Sequence, residues 1–158
     1  MAEAEAIAAK LDRGVIVDAA AVAVVDGWAA YVQGLSARKG QWLYVAAANM
    51  RHRAKERGME CTLNVDQLRQ VLLRSGGRCE VTGLRFTHER EEGARVRPFF
   101  HSFDRIDSRG GYTIDNVRAV CHCVNIAMNN WGEEVFAEMA RGFVFNRYSA
   151  LYAASDGK

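Results

Sequence analysis

Residues 99–130 read FFHSFDRIDSRGGYTIDNVRAVCHCVNIAMNN. Residues 99–107 alternate bulky apolar and polar side chains and predict a strand, and residues 108–111 form a glycine-containing turn. Residues 117–120 predict a second short strand. From about Cys121 the spacing becomes helical, because apolar residues recur every three or four positions, at Val124, Met128, Trp131, Val135 and Met139. The stretch therefore predicts a strand, loop, strand, helix unit.

This unit resembles a known family. In order and spacing it is similar to the HNH, or His-Me finger, endonucleases, in the form carried by many small phage and prophage proteins. The matching residues are Asp104-Arg105-Ile106, Gly110-Gly111-Tyr112, Asn116 and Asn125. The resemblance covers roughly residues 46–143 and includes a C-x-x-T-G segment that begins at Cys79. It implies an α+β fold, in which a helical N-terminal part precedes a ββα-metal unit.

The resemblance also implies a site. Asp104 and Asn125 correspond to the ligands of one divalent metal, and Asn116 to the family's structural asparagine. One carboxylate and one amide oxygen, with the other positions left to water and phosphate, suit Mg²⁺, and Mn²⁺ is an alternative. Arg105 stands where the family has its general-base histidine. Arginine stays protonated near neutral pH and therefore cannot accept a proton from water. Arg105 is expected to bind the scissile phosphate instead.

Two histidines are candidates for the missing base. His122 precedes Asn125 by three residues, so on a helix the two share a face, as does Asn129. His101 lies four residues before Arg105 on the predicted strand, about 13 Å away when extended, so it could help only through a bend or bulge. His122 is therefore preferred. The predicted catalytic residues are Asp104, Arg105, Asn116, His122 and Asn125.

Charge is unevenly distributed, although the net charge is only +2. Residues 38–57 carry six basic side chains and one acidic one, whereas residues 1–37 carry five acidic side chains and two basic ones. Residues 41–57 predict a helix that ends at Gly58. We expect it to present a DNA-binding surface, and the alternative is a solvated helix face. The predicted DNA-binding residues are Arg51, Arg53, Lys55, Arg57, Arg109 and Arg118.

The predicted organisation is an N-terminal helical accessory segment, residues 1–40, followed by an HNH-type nuclease domain, residues 41–158, with its ββα core at about 99–140. Residues 3–12 and 15–36 predict two helices without chemistry of their own. They are expected either to pack on the nuclease unit or to form a homodimer. Asn64 and Gln67 predict a capping box that opens a further helix, residues 78–86 a hairpin with Gly83 in its turn, and residues 87–98 an exposed loop.

No apolar run is long enough to cross a membrane without a charge, and no cationic start precedes an apolar segment as in a secretory leader. We therefore expect a cytoplasmic protein, and the resemblance implies a bacterial or phage-infected cell. Cys61, Cys79, Cys121 and Cys123 are expected to be free thiols. A structural Zn²⁺ is disfavoured because no C-x-x-C pair is present.

The sequence thus predicts a metal-dependent DNA endonuclease that hydrolyses phosphodiester bonds. Two alternatives stay open at this point. One is a catalytically degenerate HNH-fold module that binds nucleic acid or a partner protein, which the arginine at position 105 motivates. The other is a structural adaptor protein that is stabilised by a bound zinc ion.

Overall fold

The computed structural model describes residues 20–38, 41–87 and 97–153. They form a mixed α+β fold of helices and a small two-stranded antiparallel sheet. The predicted helix at residues 3–12 and most of the predicted loop at 87–98 lie outside the described residues. The elements, in chain order, are α1 (Ala20–Gly34), α2 (Trp42–Arg57), α3 (Val65–Arg74), β1 (His101–Arg105), β2 (Val117–Cys121), α4 (His122–Met128) and α5 (Glu133–Ala153).

The sheet pairs β1 with β2 in an antiparallel register that sets His101 opposite Cys121 and Arg105 opposite Val117. Every residue of β2 is buried, whereas β1 is mostly half-buried. The short β2 is therefore the centre of the fold, and β1 is its outer neighbour. This register also sets Asp104 directly opposite Arg118.

The main core joins the first three helices to β2. Trp28 and Val32 of α1 meet Leu43 of α2, Leu72 of α3 and Val117 of β2 in one buried cluster. The indole Nε1 of Trp28 donates a 2.8 Å hydrogen bond to the Leu72 carbonyl oxygen. The helix within the predicted accessory segment therefore packs into the same core as residues from the predicted nuclease domain.

A second, smaller cluster lies between β2 and α4. It contains Cys79, Val120, Cys121, Val124 and Met128, and Phe136 of α5 packs against its edge. These contacts fix α4 against the far end of the sheet. The orientation of α4 decides which of its side chains lie near β1.

Local signals in the sequence set several element ends correctly. Gly58 follows α2 in the left-handed conformation, with φ 63°, as predicted for a helix-ending glycine. The capping box at α3 is confirmed, since Asn64 accepts from the Gln67 backbone and Gln67 accepts from the Asn64 backbone. The hairpin prediction is confirmed in outline by the antiparallel bridge between Arg78 and Arg85.

The single helix predicted from Cys121 onward is wrong. The chain forms two helices, because Asn129, at φ 44°, and Gly132, at φ 87°, interrupt the helical path. Val124 and Met128 are buried as expected, but Trp131, Val135 and Met139 are exposed. None of the described helices is both long and apolar enough to span a membrane.

Candidate functional site

An open cleft of about 490 Å³ lies where α2, β1 and α4 meet. We call it the Asp104 cleft. Its polar lining comes from all three elements, together with the loop after β1 and the turn after α4. The lining residues are Arg53, Arg57, Ser102, Phe103, Asp104, Arg105, Ser108, Tyr112, His122, Asn125, Ile126, Asn129 and Asn130. An adjoining cleft of about 480 Å³ shares Asp104 and Arg105 and continues towards Glu133 and Glu134.

Asp104 is the carboxylate at the junction of the two clefts. Its Oδ2 accepts a 3.1 Å hydrogen bond from Nε of Arg118, and the side chains of both residues are about nine-tenths buried. Burial raises the pKa of Asp104, while the hydrogen bond and the charge of Arg118 oppose this shift. The carboxylate is therefore held in place by a cation and has limited contact with solvent.

Arg118 is the centre of a small ion-pair network. Its Nη1 donates to Oε2 of Glu133 at the start of α5, and its Nη2 lies 3.7 Å from the Met128 sulfur. Burial alone would lower the pKa of Arg118, but the hydrogen bonds that it donates to Glu133 and Asp104, together with their negative charges, outweigh burial and raise it. The network ties β1, β2 and α5 together beside the cleft.

Asn125 projects from α4 towards β1. Its Nδ2 donates to Oγ of Ser102, at 2.8 Å, and to the Phe103 carbonyl oxygen, at 2.9 Å. Within the described part of the chain, no hydrogen bond engages its Oδ1. Because both amide donors are held by β1, Oδ1 is the atom that Asn125 could offer to a ligand.

His122 is the first residue of α4 and is half-buried. It lines the Asp104 cleft together with Asn125 and Asn129, which agrees with the shared helix face expected from their spacing. Its backbone N–H donates to the Phe100 carbonyl oxygen at 2.9 Å, so the start of α4 is anchored to the segment before β1. The imidazole is thus positioned on the cleft wall.

Arg105 lines the cleft but is partly engaged within the protein. Its Nη1 donates a 2.8 Å hydrogen bond to the Gly110 carbonyl oxygen and lies 3.2 Å from the Met59 sulfur. The guanidinium also stacks over the Tyr112 ring, 5.0 Å from its centroid. Arg105 therefore holds the loop after β1 and still presents part of its guanidinium to the cleft.

Asn116 organises that loop from within. Its Oδ1 accepts from the Asp107 backbone at 2.9 Å, and its Nδ2 donates to the carbonyl oxygens of Asp107 and Gly111. A Cβ on Gly110 would lie 2.7 Å from this Nδ2, so only glycine allows the loop to close this tightly. Asn116 is not among the cleft residues, and its contacts are those of a structural clamp.

The predicted DNA-binding residues divide into separate groups. Arg53 and Arg57 line the Asp104 cleft, whereas Arg51 and Lys55 are exposed on α2 outside it. Arg109 is exposed in the loop and pairs with Asp107. Arg118 does not fit the prediction of a DNA-binding surface residue, because it is only 8% exposed and its charge is paired with two carboxylates.

His101 is buried in the core and does not line the cleft. Only 1% of its surface is exposed, and its Nε2 lies 2.7 Å from the Tyr31 hydroxyl. The rings of Trp42 and Phe100 pack against the imidazole. This position excludes His101 as the base candidate, because a direct path to a water in the cleft is closed.

The donor set fits a hard, oxygen-preferring ion. Asp104 and Asn125 both line the cleft, and together they offer one carboxylate and one amide oxygen. No cluster of three or more His, Cys, Asp or Glu side chains that could hold a metal occurs among residues 20–38, 41–87 and 97–153. The four cysteines are free thiols, as expected, and Cys79 and Cys121 are buried.

Sequence reasoning missed the ion-pair network around Asp104. The antiparallel register sets Arg118 opposite Asp104, so the pattern of strand pairing contained a signal for this contact. The part played by Glu133 had no such signal, because it depends on where α5 begins in space. Ser102 and Met59, which contact Asn125 and Arg105, were also not anticipated.

Comparisons with protein-family models, with curated proteins and with solved structures found no match to this chain.

Proposed function

We propose that this chain is a metal-dependent DNA endonuclease of the HNH type, in which β1, β2 and α4 form a ββα-metal unit. The observation that carries the proposal is the composition of the Asp104 cleft. A carboxylate, a side-chain amide, an imidazole and three arginines converge there from β1, α4 and α2. Phosphodiester hydrolysis requires these groups, because it needs a proton acceptor, anion binding and an oxygen ligand set for a divalent ion.

The arginines would bind the phosphodiester. Arg53 and Arg57 lie one helical turn apart on α2, so both can contact the backbone of one strand. Nη1 of Arg105 donates a hydrogen bond to the Gly110 carbonyl oxygen. A guanidinium has five N–H donors, so the remaining ones can bind a phosphate oxygen. This positive wall would fix the scissile phosphate against Asp104.

Asp104 and Asn125 would hold the divalent ion, of the Mg²⁺ or Mn²⁺ type. When bound, such an ion neutralises the charge that develops on the phosphate and on the leaving 3′ oxygen. The contacts of Asn125 with Ser102 and Phe103 orient its amide before binding. The Arg118 contact likewise fixes one Asp104 oxygen and leaves the carboxylate pre-positioned.

His122 would take the proton from the attacking water. It lies on the cleft wall near Asn125 and is the only histidine of the described residues that lines this cleft. A positioned imidazole typically contributes about 10²- to 10⁴-fold to such a reaction. With DNA as the proposed substrate and a phage-type nuclease as the proposed class, the activity would belong in the cytoplasm of a bacterial or phage-infected cell.

A second candidate function is a DNA-binding module that no longer cuts. The engagement of Arg105 with Gly110, Met59 and Tyr112 favours it, because the residue at the family's base position acts here as a loop anchor. The two candidates share the same DNA-binding cleft and differ only in chemistry.

The deciding experiment measures nicking of supercoiled DNA and cutting of branched DNA with Mg²⁺ or Mn²⁺. Asp104→Asn removes the charge and keeps an acceptor for Arg118, so the fold should be retained while cleavage is lost. His122→Gln should slow cleavage by about 10²-fold or more. Asp66→Asn, on the exposed face of α3, is the matched control and should cut like the native protein.

The outcomes separate the two functions. Cleavage by the native protein that Asp104→Asn abolishes supports the endonuclease. Salt-sensitive DNA binding without cleavage, together with a gain of cleavage in Arg105→His, supports the binding module instead. Absence of both binding and cleavage would refute both candidates.

A further inference from the structure

Helix α5 extends away from the rest of the described structure. Its contacts with the other described elements are with α4 and β2 and lie at its beginning, where Glu133 binds Arg118 and Phe136 packs on the second core cluster. Beyond Phe136, nearly every described side chain on the helix is exposed. A helix of 21 residues is about 31 Å long, so most of its length has no partner within the described chain.

This exposed helix carries an apolar stripe. Val135, Met139 and Phe143 follow one another at intervals of four residues on the helix, and Trp131 lies in the turn just before it. Their exposed fractions are 66% for Trp131, 38% for Val135, 45% for Met139 and 64% for Phe143. Helices gain most of their stability from packing such a face, and contiguous exposed apolar patches mark interfaces.

The charges along α5 change sign from one half to the other. Glu133, Glu134 and Glu138 lie in the first half, and Arg141 and Arg147 lie in the second. An antiparallel second copy centred near Ala140 would bring Glu133 of one chain, whose Oε2 binds Arg118 and whose Oε1 is left for a second cation, to Arg147 of the other. Because a helix rotates by about 100° per residue, Glu133 and Arg147 lie on the same side of the apolar stripe. In an antiparallel pair of helices, this side of one helix faces the same side of the other. In a parallel pair in the same register, Glu133 of one chain would face Glu133 of the other, and the like charges would repel.

We infer that α5 is a self-association surface, on which α5 of a second copy of this chain lies antiparallel. The apolar stripe supplies burial, with Met139 and Phe143 of the types enriched in interface cores. The reversed order of charges selects the second copy as the partner and sets its direction. This interface differs from a dimer through the N-terminal helices, because Trp28 and Val32 of α1 are already buried in the core.

The first test is the mass of the full chain in solution by sedimentation, from about 1 μM to about 1 mM. The native protein should dimerise, and Met139→Glu and Phe143→Glu should each weaken the dimer about tenfold or more. Leu73→Glu is the matched control, since Leu73 is 42% exposed on α3, away from the stripe. A native monomer throughout this range, or equal dissociation of the Leu73→Glu variant, would overturn the inference.

A second test checks the direction. Val135→Cys and Phe143→Cys change two positions of the stripe that are equidistant from Met139, its central residue. Oxidation of a mixture of the two variants should join unlike chains by a disulfide, while each variant alone should crosslink no more than the native protein. Efficient crosslinking of Val135→Cys with itself would instead show a parallel pair and refute the antiparallel arrangement.

Discussion

Asp104 and Arg118 face each other across the two strands of the sheet, and Nε of Arg118 donates a 3.1 Å hydrogen bond to the Asp104 carboxylate. This pair is the link between the fold and the proposed chemistry, because the residue proposed to hold the metal is also held by the core of the protein. Each change at the pair therefore affects both stability and the cleft.

Replacing Arg118 by Met should lower the free energy of unfolding by about 3 kcal/mol at pH 7, because Asp104 loses its cation in a buried place. Without Arg118, the folded-state pKa of Asp104 rises further above its unfolded value. The decrease in the free energy of unfolding should therefore be largest above the pKa that Asp104 has in the folded variant. It should shrink as the pH falls towards the pKa of aspartate in the unfolded chain, about 4. Urea denaturation between pH 7 and pH 4 measures this trend.

The matched control for that experiment is Arg69→Met, which removes an exposed ion pair with Asp66 on α3. Exposed pairs contribute little, so this variant should stay within about 0.5 kcal/mol of the native protein. An equal loss in both variants would show that the Asp104 pair has no special role.

The loop after β1 should not tolerate a side chain at Gly111. A Cβ there would lie 2.5 Å from the Glu60 carbonyl oxygen, which is backbone and cannot easily move. Gly111→Ala should therefore destabilise the protein by about 2 kcal/mol or more. Gly27→Ala, within α1, meets no atom of the described residues within 4 Å and should be neutral or stabilising by up to about 1 kcal/mol. Thermal denaturation of both variants checks the contrast.

The half-buried hydroxyl of Tyr31 should make stability depend on alkaline pH. Burial raises the pKa of Tyr31 to about 12. The native state then keeps a proton that the unfolded chain releases near pH 10, so this residue lowers stability as the pH rises from about 10 towards 12.

Tyr31→Phe should remove this decline and cost about 1 kcal/mol at pH 8, because the buried His101 ring loses its hydroxyl partner. Denaturant titrations at pH 8, 10 and 11 would measure both effects. Tyr44→Phe, on α2, is the control for the loss of a tyrosine hydroxyl. If Tyr31→Phe kept the same decline of the free energy of unfolding with pH as the native protein, Tyr31 would not be its source.

The four thiols should react in two classes. Cys61 and Cys123 are half-buried, whereas Cys79 and Cys121 are buried in the second core cluster. A thiol reagent should therefore modify Cys61 and Cys123 in the native protein, with Cys123 slower because burial raises its pKa. Cys79 and Cys121 should react only on unfolding, and mass spectrometry of the labelled peptides would distinguish the sites.

Arg53 and Arg57 should contribute to DNA affinity mainly through phosphate contacts. Replacing either by Ala should weaken binding similarly for different DNA sequences and reduce the slope of log affinity against log salt by about one. Arg69→Ala, on α3 outside the cleft, should leave the slope unchanged. Titrations at several salt concentrations would show the difference, and an unchanged slope in both cleft variants would place the DNA elsewhere.

The sequence by itself determined the local features of this protein. The alternation in residues 99–107, the capping box at Asn64 and the glycine at position 58 each act over a few neighbouring residues, so their outcome is decided within the element. The spacing of His122, Asn125 and Asn129 likewise placed three side chains on one cleft wall, because helical geometry relates them directly.

Only the tertiary structure decided which distant groups meet. The sequence favoured His122 over His101 by its spacing, and the tertiary structure decided the point, because the aromatic side chains of three other segments bury His101. Arg118 became a partner of Asp104 and Glu133, and not a surface cation, because strand register and the start of α5 bring the two carboxylates to it. The apolar spacing after Met128 was real, but positive φ angles at Asn129 and Gly132 turned that stripe outward. Periodicity tells which residues share a face, whereas the direction of that face depends on backbone turns and on contacts made far along the chain.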